Sequence, residues 1–581
     1  MNNTVYLETY SGEKEYKEST CLRLPVESFI TLCIYNYCSP ENINLKLVTL
    51  TDFTEENALN VRYDNSFSFR KTSEVPWQVA SCVYPVVLCE DTVITGLCAV
   101  ARHICKYRTS PLSPVEYEDG LLGFRKSCLQ APNEVSIWTK FCEVDLIRTI
   151  KEVLCSETVT EIPINLVRFE NHLSKPVRIH NVFKIARDMK RDAAKNSNEL
   201  NTKPVTKEEL NITQPTKIED LDVVHQFAEG PFLTLSDTIL LPIYNILMKT
   251  FNETIFQSLL PLTYKWFKNV WQVPEIGTIE LLLEAVETKP LELGNIAVPT
   301  TDDVSLYKCD PKRHNPKKRL FTKEDDIENA LSALIEGMEL NVCENEFQSG
   351  IDWSNIPDGA NPSAGHLPDV RMSRKSQQLE NLTQAVLNIA KDNDVIVDFC
   401  SGSGHLGILI AHLLPKCTII LLENKEQSLL RARKRVHDMG LKNVLFFQCN
   451  LDFFIGKFDI GIGLHACGVA SDLVLDKCLK VNAKFVLCPC CYGSLHATDR
   501  LVYPRSSKFR NITIDQYLCI GHAADQTHED HPLTVRGSKC MGVIDSDRAR
   551  LAEEHGYTVT LSKLNPPTCT PKNNLLIGVP S

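Results

Sequence analysis

A chain of 581 residues is too long for one small domain and leaves room for two to four domains of about 150 residues. Lys and Arg number 62 against 73 Asp and Glu, a formal charge of −11, which excludes a globally basic nucleic-acid binder but not local basic patches. Hydrophobic residues at 43% and charged residues at 23% are globular proportions rather than those of a disordered chain. The 23 cysteines are odd in number, and the first residues carry neither a basic n-region nor an apolar h-region. Reduced thiols in a cytoplasmic protein are therefore expected. No apolar run reaches the roughly 18 residues of a membrane span, so no membrane contact is expected.

In residues 1–115, strand patterns at 45–50 and 81–88 and helical periodicity at 28–37 and 97–105 predict a small α/β unit. Tyr84-Pro85-Val86 puts a proline at the start of an apolar strand, where it is tolerated at a strand end or in a special turn that admits a cis bond. Leu24-Pro25 ahead of a helix, then Tyr84-Pro85-Val86-Val87-Leu88, the acidic turn Glu90-Asp91 and a following helix resemble the thioredoxin-like half of a glutathione transferase. That resemblance implies a Ser, Tyr or Cys near the first helix to hold the glutathione thiolate. It also implies a Glu-Ser or Gln-Ser pair after the third strand for the γ-glutamyl group. The corresponding places read Leu24-Pro25 and Thr95-Gly96-Leu97-Cys98. Leucine cannot hydrogen-bond a thiolate, so glutathione chemistry is not expected.

Residues 125–285 are predicted to be a helical domain, with helices at 135–154 and 237–248. Thr234-Leu235-Ser236-Asp237 has the spacing of a capping box, which satisfies the orphan amides of a helix start. A similar box opens a core helix in the all-helical half of glutathione transferases, and the role it implies is in folding. An insertion at 173–215 is basic: between 173 and 207 stand Lys175, Arg178, Lys184, Arg187, Lys190, Arg191, Lys195, Lys203 and Lys207 against Asp188, Asp192 and Glu199. A linker at 286–345 carries a second cluster, Lys312-Arg313-His314-Asn315-Pro316-Lys317-Lys318-Arg319. Neither is interleaved with stacking aromatics, so a solvated loop or linker is the plain reading and a nuclear-import or RNA contact the functional one.

The last domain, 346–581, alternates strand, turn and helix in the manner of a doubly wound parallel sheet of about seven strands. Gly402, Gly404 and Gly407 form a GxGxxG turn between the first strand and its helix, and Glu423 closes the next strand 21 residues after Gly402, where a ribose diol would need an acceptor. Asp398 selects among nucleotide cofactors. A dinucleotide pyrophosphate is repelled by a carboxylate at that strand end, whereas the ammonium of S-adenosyl-L-methionine is attracted. The D-x-x-x-G-x-G spacing of Asp398, Gly402 and Gly404 resembles motif I of class I methyltransferases. It implies S-adenosyl-L-methionine as cofactor, held by Asp398, Cys400, Gly402, Gly404, Glu423, Asn450, Asp452 and Leu464.

Leu464-His465-Ala466-Cys467-Gly468-Val469-Ala470-Ser471-Asp472 with Cys488-Pro489-Cys490-Cys491-Tyr492-Gly493 resembles a signature of a methyltransferase group that includes tRNA 2′-O-methyltransferase-like proteins. With its front end attached, the whole chain resembles the family of glutathione S-transferase C-terminal domain-containing proteins. The thiols admit three readings: a metal site, for which CxCC lacks the usual CxxC spacing; a nucleophile next to His465; and small residues packed at the substrate mouth, the favoured one. We therefore assign no metal and take His465, Cys490 and Cys491 as the catalytic candidates, His465 as a general base for a hydroxyl acceptor. No Asn/Asp-Pro-Pro-aromatic loop follows the fourth strand, which argues against methylation of an exocyclic amine. The functional expectation is a methyltransferase acting on RNA, its front module contacting a protein partner. The alternatives are a non-catalytic scaffold and, after it, a glutathione-dependent transferase.

Overall fold

The computed structural model describes the chain except residues 1–2, 51–57, 110–111, 199–216, 313–322, 345–349, 363–368, 499 and 528–531. The end of the basic insertion and nearly all of the second basic cluster lie outside the described residues. Two compact units are present, one of residues 1–90 and 94–315, the other of 91–93 and 316–581.

In the first unit, β1 (Asn3–Thr9) runs parallel to β2 (Asn44–Thr49), which is parallel to β3 (Ser68–Lys71). Helix α1 (Val26–Cys38) makes the crossover between β1 and β2, burying Phe29, Ile30, Cys33 and Tyr37. Strand β4 (Val86–Cys89) is antiparallel to β1, giving the order β4-β1-β2-β3. The Tyr84-Pro85 bond is cis, and the strand begins only after it, so the apolar run at 81–88 is extended sheet only from Val86. Helix α2 (Leu97–Lys106) follows.

The continuous helix expected at 135–154 is interrupted. Ile137–Lys140 leads into a π-turn at Phe141–Asp145 and then α3 (Leu146–Cys155). Glu143 of the π-turn accepts the Cys98 N–H at 3.1 Å, an acceptor that periodicity alone does not reveal. Helix α4 (Leu235–Phe251) is apolar around almost its whole circumference and is buried accordingly. Its capping box is built as the spacing predicts: Asp237 accepts the Thr234 N–H at 2.8 Å. The same carboxylate accepts the Ala228 N–H and the Trp266 indole N–H, both at 2.8 Å, so it ties the helix start to two further segments.

The second unit carries the doubly wound sheet. Strands β5 (Val395–Phe399), β6 (Thr418–Glu423), β7 (Val444–Gln448), β8 (Ile460–Cys467), β9 (Lys484–Cys490), β10 (Tyr557–Lys563) and β11 (Asn574–Pro580) run in the order β10-β11-β9-β8-β5-β6-β7. β5 to β9 are mutually parallel, and β11 is antiparallel to both β9 and β10. Helices α5 (Asp369–Ile389), α6 (His405–Leu413), α7 (Glu426–Asp438), α8 (Val469–Val481) and α9 (Thr534–Glu554) belong to this unit. Ile396, Ile419, Ile460 and Val486 share one buried core with Leu406, Leu409, Leu382 and Val386 of the covering helices. The near-continuous apolar runs of these strands follow from a sheet covered on both faces.

Candidate active site

The site forms at the carboxyl ends of β5, β6, β8 and β9, where an open α/β sheet leaves its crevice. At the first turn, Cys400, Gly402 and Gly404 have φ of 56°, 56° and 73°, left-handed values that glycine adopts without a Cβ penalty and cysteine does not. The third glycine is needed for space: a Cβ on Gly407 would stand 2.3 Å from Leu421 and 3.0 Å from the Asp398 carboxylate.

Asp398 is 2% exposed and accepts the Gly407 N–H at 2.9 Å. Burial pushes its carboxyl up to about 7, the Gly407 bond opposing and the Glu423 charge adding to the rise. Glu423 accepts the Gly402 N–H and the Lys425 N–H, each at 2.8 Å, so both its oxygens hold backbone at the glycine turn. Asn450 is buried and accepts from the Asn424 side chain at 3.3 Å, while Asp452 forms an ion pair with Arg500 at 2.5 Å. Ser401 Oγ and His405 Nδ1 are buried without a hydrogen-bond partner, both within the glycine turn and its helix start. Burial, with Arg435 and Lys375 nearby, lowers His405 to about 3, so its ring is neutral.

His465 breaks the regular pairing of β8 with β9, at a φ of 64°, and the register shifts between Leu464 and Cys467. Its Nε2 lies 2.8 Å from Gln378 Oε1, and the Gln378 amide nitrogen in turn donates to the Cys569 carbonyl at 2.9 Å. That second bond fixes the amide so that its oxygen faces the imidazole, which places the ring proton on Nε2 and leaves the Nδ1 lone pair as the basic one. The His465 side chain keeps a solvent-reached face, yet crowding by its neighbours lowers its pKa, with the Lys375 charge in the same direction.

Beside it, Cys467 Sγ is 3.3 Å from both Cys490 Sγ and Cys491 Sγ. The three thiols are coupled: hydrogen bonds from Cys490 and Cys491 lower the pKa of the Cys467 thiol, and the pKa values of Cys490 and Cys491 are raised in return. Cys488 is fully buried and points elsewhere, its Sγ 3.4 Å from the Lys572 carbonyl.

The expected cofactor and catalytic candidates therefore converge on one end of the sheet. Residues that the spacing did not single out also take part. Gln378 lies on α5, the helix that precedes the glycine turn in the chain. Arg435 of α7 donates to the Ser403 carbonyl at 2.8 Å and to the Gly359 carbonyl at 2.7 Å, pinning the glycine turn from outside. Asp472 of the signature carries no chemistry here: it is fully buried against Arg548 of α9. The basic insertion is partly neutralised, since Lys175, Arg178 and Arg191 are paired with Asp303, Glu219 and Asp188. No helix among the described residues is long and apolar enough to cross a membrane.

Residues 374–498 match a family model described as a methyltransferase domain, which covers the glycine turn, His465 and the three thiols. The chain is 13% identical to the structure of magnesium protoporphyrin IX methyltransferase from Synechocystis PCC 6803 with bound SAM, covering 40% of this chain and 100% of that one at a TM-score of 0.24. Similarity to curated relatives spans both units. The chain is 40% identical to a glutathione S-transferase C-terminal domain-containing protein homolog of Drosophila melanogaster, over 99% of this chain and 98% of the relative. It is 33% identical to the proteins of that name from Mus musculus and Homo sapiens, over 97% and 96% of this chain and 98% and 96% of theirs. At that identity and coverage, the chain belongs to the family of glutathione S-transferase C-terminal domain-containing proteins.

Proposed function

We propose that the second unit is an S-adenosyl-L-methionine-dependent methyltransferase whose acceptor is a hydroxyl of RNA, and that the first is a glutathione-transferase-like docking module without glutathione chemistry. The observation that carries the cofactor is Asp398, a buried carboxylate beneath a glycine turn that also holds two unpartnered polar atoms, Ser401 Oγ and His405 Nδ1. This set suits an ammonium-bearing ligand with hydroxyls and ring nitrogens, and open space faces Gly402, where a Cβ would meet nothing within 4 Å. The cofactor, when bound, supplies an electrophilic methyl group.

Asp398 would hold the ammonium end. Glu423 would exchange one of its backbone donors for a ribose hydroxyl, and Asn450 would face the base. His465, neutral at physiological pH and oriented by Gln378, would take the acceptor hydroxyl proton at Nδ1. RNA as the acceptor class is supported by the signature at 464–493 and by Lys184, Arg187 and Lys190 on the helix Val182–Asn198. Cytoplasmic placement is supported by 23 unbridged cysteines.

In the first unit, the parallel and antiparallel strand order supports a thioredoxin-like frame. Leu24, where a thiolate donor would stand, is fully buried. That loss is the specific observation favouring the second reading, a scaffold that binds cofactor without turnover. Calorimetric binding of S-adenosyl-L-methionine to the full chain, followed by transfer of labelled methyl to total RNA, tests both. Binding abolished by Asp398→Ala together with transfer abolished by His465→Ala supports the enzyme. Binding without transfer to RNA or protein supports the scaffold, and absence of binding removes both.

A further inference from the structure

We infer that Cys467, Cys490 and Cys491 form a three-thiolate site for a soft divalent metal ion of the zinc type, with its fourth coordination position open to solvent at Cys467. The three Sγ atoms all lie within 4.8 Å of one another, and two of the separations are 3.3 Å. Tetrahedral coordination at about 2.3 Å per zinc–sulfur bond requires sulfurs about 3.8 Å apart, inside that range. A disulfide would need about 2.05 Å and would leave the third thiol without a role.

Packing does not account for the cluster, because Cys467 is exposed and Cys491 is half-buried; only Cys490, at 6%, is buried. The backbone is bent to gather the thiols. Cys467 and Cys490 are register partners across β8 and β9 only because the pairing shifts after Leu464, and Cys491 adopts a φ of 56°, which a β-substituted residue enters at a penalty. Gly468, at a φ of 55°, lets its N–H reach the Cys490 carbonyl at 3.0 Å, and a Cβ there would stand 2.9 Å from Ser494.

Binding releases the three thiol protons to solvent and forms three metal–sulfur bonds with no change of oxidation state, leaving a site of net charge about −1 for a divalent ion. Lys425 on the Cys467 side and Lys572 on the Cys491 side stand in the neighbourhood of that charge, Lys572 being paired with Asp525 at 2.9 Å. The three thiols come from the end of β8, the end of β9 and the residue after it, and the site does not rest on the methyltransferase reading.

The test is elemental mass spectrometry on the full chain, produced in zinc-supplemented medium and dialysed under reducing conditions. About one zinc per chain is expected in the wild type and in Cys488→Ser, falling at least fivefold in Cys467→Ser, whose side chain is exposed. Cys491→Ser serves as the second variant should Cys467→Ser fail to fold by circular dichroism. Titration of the metal-free chain with cobalt(II) should give thiolate-to-metal charge-transfer absorption that both variants lose. A metal-free wild type without that absorption, equal zinc in the variants, or a disulfide from Cys467 to Cys490 or Cys491 in thiol-trapped protein overturns the site.

Discussion

Arg548 grips Asp472 with two hydrogen bonds, Nε to Oδ1 at 3.0 Å and a terminal nitrogen to Oδ2 at 2.8 Å, and gives its other terminal nitrogen to Asp545 at 2.9 Å. All three residues are essentially without solvent. Tyr503 donates to Asp472, and Tyr492 and Asn574 donate to Asp545, so the network joins α8, α9, β11 and the segment after β9.

Arg548→Met removes the guanidinium shared by Asp472 and Asp545, leaving Asp472 with Arg505 at 3.3 Å and Asp545 with the neutral donors Tyr492 and Asn574. Breaking such a pair from one side destabilises by about 3–5 kcal/mol. A urea titration followed by circular dichroism should show the transition of the second unit moving to lower denaturant while that of the first stays in place. Coincident midpoints for variant and wild type would mean the network contributes nothing.

Asp398 links cofactor affinity to pH. Its carboxyl, raised to about 7, is mostly protonated below that pH, and an ammonium ligand pairs only with the ionised form. Because the folded value exceeds the ordinary carboxylate value, this group favours the ligand-free fold at low pH and loses that contribution as pH rises through about 7. S-adenosyl-L-methionine should therefore bind with proton release below pH 7, its Kd improving up to about tenfold per unit and levelling above. Calorimetry in buffers of different ionisation heat measures the released proton, and a pH-independent Kd would contradict this role.

Gly407→Ala tests whether the glycine turn is set by space. The added Cβ meets Leu421 and the Asp398 carboxylate, so the helix must retreat from the sheet at a cost of about 1–3 kcal/mol, with loss of cofactor binding. Gly556→Ala is the control, at a positive φ with nothing within 4 Å, so it adds backbone strain without a clash. Thermal melts should show a lower Tm in both, with cofactor binding lost only in Gly407→Ala.

Asp237 accepts from the Thr234 and Ala228 N–H groups and from the Trp266 indole, all donors. Asp237→Asn puts an amide NH2 against one of them. The first unit should lose about 2–3 kcal/mol, read as an earlier urea transition of that unit alone. Burial holds the Asp237 carboxyl at about 6, so its contribution is largest in acid and declines as pH rises through that value.

The strands of the second unit were legible because a sheet covered on both faces writes apolar runs of nearly full strand length, bounded by glycine. Asp398, Gly402 and Glu423 were legible because their spacing is local to two consecutive strands. Arg435 was not, since it reaches the glycine turn from a helix whose surface pattern is ordinary and meets backbone carbonyls there, and the part played by Gln378 depends on His465, 87 residues away in the chain. The break at Phe141–Asp145 was hidden for a related reason: a π-turn keeps the composition of a helix and changes only its phase. Among the thiols, sequence shows four near one another, and only the bulge at His465 decides which three meet.

The placement of β11 has a consequence for synthesis. It pairs with β9 on one side and β10 on the other, yet it comes last of the seven in the chain. Until residues 574–580 have left the ribosome, β9 has an unpaired edge and β10 has no seat, so this sheet cannot close progressively during translation. A nascent chain arrested before that point should expose the β9 edge to chaperones, whatever the state of the unit translated ahead of it.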